Sequence, residues 1–367
     1  MEKVVTKKRI VYFDILRMAA VFAVVIVHVS SLYIYNRWGY EGSFWNFISV
    51  IDSYFRYAVP TFLMVTGSLL LPNRKNETYG EFLKKRFSKV LIPFIVWNII
   101  YFFDSVRIGD YAGTVYSFFS QMLSQGGTRY HLWYLNLIIT LYFFIPFFRI
   151  LAGKLDKKNL ELLIAVLFVG AFLIPTISDI TNIYFHIQVS ILSLPVIFVY
   201  IGFMFLGYYI TTYGVKDKYR KITYVLGIIS AIGLAIMTNV LSTGGFNAVM
   251  YNRENVLVFF EAVSVFIFVT YLFKKVELKE KVSKSLSRLG SLTFGVYLVH
   301  VLFMNEIHKL IKNSPIFTNV PLEIIVVIEI FGTLVISYLV TYLISKIKYV
   351  KRIIGVWWLS ICVYEWR

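Results

Sequence analysis

The feature that most constrains this chain is a series of predominantly apolar segments. Each is close to the roughly 18 residues that a helix needs to cross a hydrocarbon core of about 30 Å. Ten of them follow one another along the 367 residues, and the third is shorter than the rest. Because lipid offers no partner to backbone N–H and C=O groups, such segments cross a membrane as helices. The sequence therefore predicts an all-α, polytopic membrane protein with about ten transmembrane helices, at residues 10–32, 51–71, 90–103, 132–151, 160–178, 191–213, 222–241, 256–273, 289–311 and 321–345.

The composition excludes the soluble classes of protein. Apolar residues make up 58% of the chain and charged residues 16%, with a mean hydropathy of +0.71. A soluble domain has about 45–50% apolar and about 25% charged residues. The single cysteine, Cys362, excludes a disulfide scaffold and a cysteine-rich metal site, and we expect no metal.

The net charge of +17 is explained by topology and not by nucleic-acid binding. Of 37 Lys and Arg residues, 28 lie at the N-terminus and in every second loop, within residues 3–9, 74–89, 149–158, 216–221, 274–288 and 346–352, whereas the intervening loops hold 6. Basic residues concentrate in cytoplasmic loops, so both termini are predicted to be cytoplasmic. We predict one transmembrane domain, residues 1–352, followed by a cytoplasmic tail, residues 353–367, that is too short to span and is typical of an interfacial helix.

The first apolar segment carries three ionisable residues, Asp14, Arg17 and His28. A charge inside the bilayer costs at least about 2.5–3.5 kcal/mol, which makes each a functional candidate. Spacings of three and eleven residues place all three on one stripe, with Arg17 and His28 about 16 Å apart along the axis. The alternative is a buried Asp14–Arg17 ion pair that fixes the helix orientation, plus a histidine near the interface. Three ionisable groups on one face favour catalysis.

The second segment offers Arg56 near its predicted outer end and Thr66, Gly67 and Ser68 near its inner end. Arg56 is a candidate for substrate binding, and the alternative is that it snorkels to the interface. Gly67 allows either close helix packing or the approach of a ligand.

Two basic residues one helical turn apart, Arg86 and Lys89, end the loop that follows the second segment. They are candidates for binding the phosphates of a cytosolic ligand at the start of a helix. The alternative is that they serve the topology alone.

Two further groups lie on later segments. His131 and Trp133 open the fourth segment among other aromatic residues, which is typical either of an aromatic belt or of a carbohydrate site. Tyr297 and His300 share one face of the ninth segment near the middle of the membrane. We take all four as candidates for substrate binding.

These residues together resemble the acyltransferase-3 family of integral membrane O-acyltransferases, which modify bacterial surface polysaccharides. The resemblance rests on residues 13–17, His28, and residues 59–67, 86–89, 131–135 and 289–300, and with the helix layout it covers nearly the whole chain. It implies that Arg17 and His28 are essential and that Arg86 and Lys89 contact acyl-CoA. Lys89 departs from the family's two-arginine motif, since lysine offers a point charge and not a bidentate fork. The family's Ser-Gly pair reads Thr66-Gly67 here.

The resemblance implies an enzyme of the bacterial cytoplasmic membrane that moves an acyl group, with acetyl expected, from cytosolic acyl-CoA to a hydroxyl of a surface polysaccharide or lipid-linked glycan. Acetyl-CoA or another short acyl-CoA is the expected donor, and membrane lipid the expected surroundings. His28 is the expected general base, because a neutral imidazole can accept a proton near pH 7. A secondary transporter or lipid-linked-glycan flippase is the alternative, although the sequence lacks the paired halves common in transporters.

Overall fold

The computed structural model describes residues 10–35, 42–72, 77–124, 126–243 and 245–355 of the chain. Within these ranges it is built of α-helices with short π and 3₁₀ turns and contains no β-strand, which confirms the all-α prediction. The helices are α1 (Val11–Ile34), α2 (Gly42–Ser53), α3 (Ala58–Leu70), α4 (Tyr79–Arg107), α5 (Val115–Leu123), α6 (Trp133–Lys154), α7 (Lys157–Phe168), α8 (Ile174–Phe185), α9 (Ile197–Tyr213), α10 (Asp217–Leu241), α11 (Val256–Lys275), α12 (Glu280–Lys312), α13 (Ile316–Asn319) and α14 (Leu322–Lys346).

Eight stretches of helix in the described ranges are long and apolar enough to cross a membrane, which confirms a polytopic membrane protein. They are α1, α4, α6 with the turn before it, α7 continued through a π turn into α8, α10, α11, α12 and α14. The other two predicted segments correspond to the shorter α3 and α9, of 13 and 17 residues. The count of ten spans and the cytoplasmic termini stay predictions. Residues 356–367, which hold most of the predicted interfacial tail, lie outside the described residues.

Helix α1 lies at the centre of the bundle and packs against α2, α3, α11, α12 and α14. Its contact with α12 is close, because a Cβ at Gly290 would lie 2.5 Å from Cβ of Asp14. The ionisable residues of α1 are therefore held inside the protein and away from lipid, as the cost of charge in hydrocarbon requires.

Helices α3 and α9 also pack with their backbones nearly touching. A Cβ at Gly67 would lie 1.9 Å from the carbonyl oxygen of Met204, and a Cβ at Gly207 would lie 2.2 Å from that of Met64. Small residues permit such crossings in membrane proteins, where dispersion contacts replace the hydrophobic effect as the driving force. Gly67 thus serves helix packing, one of the two uses that the sequence allowed for it.

Candidate active site

A chain of hydrogen bonds joins α1 to α12 through two histidines. Nδ1 of His28 lies 2.7 Å from Nε2 of His300, and the two rings stack with centroids 4.9 Å apart. Nδ1 of His300 lies 2.6 Å from the backbone carbonyl oxygen of Tyr297. His300 is fully buried and His28 half-buried.

The carbonyl at the end of this chain fixes where the protons lie. A carbonyl oxygen only accepts, so Nδ1 of His300 carries a proton and donates it to the Tyr297 carbonyl. In the neutral His300 ring, Nε2 is then an acceptor, and it receives the Nδ1–H of His28. Nε2 of His28 is left with its lone pair, and no described residue hydrogen-bonds to it. The arrangement presents a neutral imidazole whose basic nitrogen is available to a substrate.

His131 stands beside the two histidines and is 1% exposed. Its ring centroid lies 5.3 Å from that of His300, 6.4 Å from that of His28 and 4.7 Å from that of Tyr101. The Tyr297 hydroxyl donates a hydrogen bond to the His131 carbonyl and so ties α12 to the start of α6. Across the described ranges, no group of His, Cys, Asp and Glu is arranged to hold a metal ion.

One cavity, here called the Arg17 cavity, opens between α1, α3, α4, α6 and α12 and has a volume of about 60 Å³. The hydroxyls of Thr66, Ser291 and Thr293 on its wall donate to carbonyls of their own helices, which leaves the wall mostly apolar. Its residues are Arg17, Phe62, Val65, Thr66, Val90, Tyr134, Leu135, Ile138, Gly290, Ser291, Thr293, Phe294 and Tyr297.

Arg17 is the charge on that wall and is 6% exposed. Its Nη1 lies 3.2 Å from Oδ1 of Asp14, and Oδ2 of Asp14 accepts a hydrogen bond of 3.1 Å from Ser287. The Asp14–Arg17 ion pair, predicted from the sequence as the alternative to catalysis, is therefore present. Asp14 does not line the cavity and instead holds Arg17 in place.

A second cavity, here called the His28 cavity, has a volume of about 180 Å³ and shares no lining residue with the first. Its wall combines His28, two arginines and aromatic rings, and its residues are Val24, Val27, His28, Phe55, Arg56, Ala58, Val59, Pro60, Leu63, Trp133, Val199, Tyr200, Phe203, Tyr251, Arg253 and Val258. Trp133 lines this cavity while its neighbour Tyr134 lines the other, so the start of α6 helps to divide them.

Arg86 is buried, and two of its guanidinium nitrogens lack a hydrogen-bond partner among the described residues. A capping box between Thr78 and Glu81 starts α4, and Arg86 follows two turns later with 3% of its surface exposed. Its guanidinium lies over the ring of Phe82, and its Nε and Nη2 are buried without a hydrogen-bond partner among the described residues. Lys89 lines a separate cavity with Arg352. Arg86 lines neither the Arg17 cavity nor the His28 cavity.

An ion pair lies close to Arg86 at the predicted cytoplasmic end. Nη1 of Arg149 lies 2.7 Å from Oε2 of Glu77. Partial burial raises the pKa of Glu77, but the hydrogen bond and charge of Arg149 and the charges of Lys85 and Arg86 outweigh it, so its pKa lies below the ordinary value.

The structure brings together most of the predicted residues, but not all of them. Of the three predicted near the end of α3, only Thr66 lines a cavity, because Gly67 faces α9 and the Ser68 hydroxyl donates to the Met64 carbonyl. His300 contacts His28 and lines neither the Arg17 cavity nor the His28 cavity.

Sequence reasoning missed Arg253, Tyr200 and Tyr251 on the wall of the His28 cavity. One signal could have identified Arg253. It is one of only 6 basic residues in the predicted outer loops, where arginine is scarce.

Comparison with known proteins gives one match. A family model described as an acyltransferase domain, that of the acyltransferase-3 family, matches residues 10–346. A search of curated proteins found no match, and neither did a search of solved structures.

Proposed function

Since the chain belongs to the acyltransferase-3 family and is a multi-pass membrane acyltransferase, we propose that it moves an acyl group, acetyl first, from cytosolic acyl-CoA to a hydroxyl of a surface polysaccharide or lipid-linked glycan. One observation carries the proposal beyond the family. His28 lies on the wall of the His28 cavity. Its hydrogen-bond chain runs through His300 to Tyr297, which lies on the wall of the Arg17 cavity.

The two cavities suit two substrates that arrive from opposite sides. The Arg17 cavity, which is mostly apolar, suits the acyl-thioester arm of the donor. The aromatic rings of the His28 cavity suit the faces of a sugar, whose C–H groups pack against π-systems. A bundle of this kind lets a cytosolic donor and an external acceptor meet inside the membrane.

Proton transfer follows from the tautomer of His28. Nε2 of His28 takes the proton of the acceptor hydroxyl while the hydroxyl oxygen attacks the thioester carbonyl carbon. The C–O bond forms, the tetrahedral oxyanion collapses, the C–S bond breaks, and the imidazolium returns the proton to the CoA sulfur. His300 accepts the Nδ1–H of His28 throughout and so stabilises the charge that develops on it. The other route passes through an intermediate in which His28 carries the acyl group, and it consumes the same substrates and gives the same products.

Arg86 and Lys89 are proposed to hold the phosphates of the donor. The buried, unpartnered Nε and Nη2 of Arg86 support this, because a buried guanidinium without a partner is costly and an anion would satisfy it. Lys89 lies one turn along the same helix and is half-buried.

The main test measures base-labile acyl groups on cell-surface polysaccharide by NMR in a strain that lacks the gene. Wild type is expected to restore the signal, and His28→Ala at the same membrane abundance is expected to leave a few per cent at most, because a general base contributes roughly 10²–10⁴-fold. His186→Asn is the matched control, since His186 is exposed and its φ of 55° is one that asparagine adopts readily. Activity of His28→Ala near the wild-type level would exclude His28 as the base. If neither gene changes acylation but the amount of exported glycan differs, the protein is a transporter.

The donor contacts have a separate test. Arg86→Ala and Lys89→Ala are expected to raise the apparent KM for acyl-CoA in isolated membranes, and Arg86→Ala more, because Arg86 has the buried donors. Lys84→Ala is the control, since Lys84 is an exposed residue of the same helix. An unchanged KM in both variants would mean that the two residues serve the topology alone.

A further inference from the structure

The His28 cavity carries an unusual electrostatic feature for a neutral-sugar site. Two of its lining residues, Arg56 and Arg253, are arginines, and none is Asp or Glu. Three of its aromatic residues, Trp133, Tyr200 and Tyr251, contact those guanidinium groups.

The two arginines differ in their partners. Arg56 forms an ion pair with Asp52, and its guanidinium carbon lies 3.8 Å from the centroid of the Tyr251 ring. Arg253 forms no ion pair within 4 Å with any described residue, its neighbour Glu254 included. The charge of Arg56 is therefore largely balanced inside the protein, and that of Arg253 is not.

Arg253 is exposed, and two contacts orient its side chain. Its guanidinium carbon lies 3.9 Å over the ring of Trp133, and Nη1 donates a hydrogen bond of 2.8 Å to the Tyr200 hydroxyl. Stacking and one hydrogen bond orient the planar group while its other N–H donors stay available. A guanidinium oriented in this way binds carboxylate or phosphate, which match its fork of donors, with less loss of side-chain entropy.

We propose that the acceptor carries an anionic group, a uronic-acid carboxylate or a phosphate, and that Arg253 binds it in the His28 cavity while the sugar packs on the aromatic wall. The inference rests on the proposed function in treating the bound molecule as the acyl acceptor, but the binding itself does not require acyl transfer. Trp133, which the sequence indicated as a sugar-binding residue, would then act together with an arginine that the sequence did not single out.

The test is equilibrium binding to the purified full-length protein in detergent, with intrinsic tryptophan fluorescence as the readout. The first probe is a glucuronic-acid-containing disaccharide, compared with the same disaccharide after reduction of its carboxyl group to an alcohol. The second is N-acetylglucosamine 1-phosphate, compared with N-acetylglucosamine. We expect one charged probe to bind at least roughly tenfold tighter than its neutral counterpart, as one charge-assisted pair supplies. Preference for the first or second charged probe identifies carboxylate or phosphate as the group.

Arg253→Gln is expected to remove that preference while leaving the affinity for the neutral sugar nearly unchanged, and Arg253→Lys to keep part of it. Arg107→Gln is the matched control, because it removes the same charge from an exposed arginine that already pairs with Asp104 and Glu306. Equal affinity for charged and neutral probes, no binding of either charged probe at millimolar concentration, or a preference that survives Arg253→Gln would each overturn the proposal. None of these outcomes depends on acyl transfer, so they are distinct from an active His28→Ala enzyme, which would overturn the proposed function.

Discussion

The Arg17 cavity and the His28 cavity of this protein differ in chemistry and in size, with volumes of about 60 and about 180 Å³. The Arg17 cavity is lined mainly by apolar side chains and by hydroxyls turned toward their own helices, with one arginine that Asp14 pairs. The His28 cavity is lined by aromatic rings and two arginines. Under the proposed function, the first holds the narrow acyl-thioester arm of the donor and the second holds the polar acceptor. The His28–His300 pair links the two walls by hydrogen bonds and the cavities share no lining residue, so each cavity can be tested separately.

The largest effect is expected at the boundary, from His300→Phe. Phenylalanine preserves the packing but cannot accept the Nδ1–H of His28. That N–H is then unpaired, and the His28 ring is no longer held in the tautomer that leaves Nε2 basic. Acyl transfer is expected to fall roughly 10- to 1,000-fold in kcat with the KM of both substrates nearly unchanged. Steady-state kinetics in membranes would measure it.

His300→Gln separates positioning from structural support. Its side-chain oxygen can accept the Nδ1–H of His28, so we expect partial recovery of kcat over His300→Phe, with the pH dependence of kcat moved relative to wild type. Equal loss in both variants at wild-type abundance would mean that His300 supports only the packing of α12.

The next effect is expected in the Arg17 cavity alone. Arg17→Gln removes a charge that lines it, so the apparent KM for acyl-CoA is expected to rise about tenfold, as for the loss of one charge-assisted hydrogen bond. The KM for the acceptor is expected to stay within about twofold. A double variant with Asp14→Asn, which leaves no buried carboxylate unpaired, tests whether any loss is one of stability. A rise in the acceptor KM as large as that for the donor would break the division of roles between the cavities.

How far the sequence predicts these features depends on the distance over which each acts. Helical periodicity is local, so the stripe of Asp14, Arg17 and His28 and the pairing of the first two follow from spacing. The contact of His28 with His300 joins residues 272 positions apart. It depends on how α1 packs against α12, which a single sequence does not encode as a pattern.

Hydropathy likewise predicts where helices lie better than how long they are. Residues 51–71 form one apolar segment, but the structure divides this region between α2 and α3, which are separated by a turn at residues 54–57. The role of Gly67 was similarly open, because close packing and ligand approach require the same small residue. The backbone of α9 decides it.

A smaller effect is expected in the His28 cavity from Trp133→Leu. Leucine keeps apolar volume but removes the ring that faces a sugar and supports the Arg253 guanidinium. The KM for the acceptor is expected to rise roughly three- to tenfold, and the KM for acyl-CoA to stay unchanged, in the same assay. Tyr134→Leu is the matched control on the neighbouring residue, because it lines the Arg17 cavity and should change the donor KM instead. The reverse pattern would mean that the substrates occupy the opposite cavities.

The smallest effect is expected outside both cavities, from Glu77→Gln. This change removes the ion pair with Arg149 and leaves the walls of the Arg17 and His28 cavities unaltered. It therefore measures how much a weaker contact near the start of α4 changes stability by itself. The melting temperature is expected to fall by about 1–3 °C at pH 7, with the KM for the acceptor unchanged. The pKa of Glu77 is lower in the folded protein than its ordinary 4.5, so its contribution is present above that value and is lost as the pH falls through the folded pKa. The difference in melting temperature between variant and wild type should therefore shrink as the pH falls below 4.5, and a difference that persists in acid would mean that Glu77 stabilises the fold by packing and not by its charge.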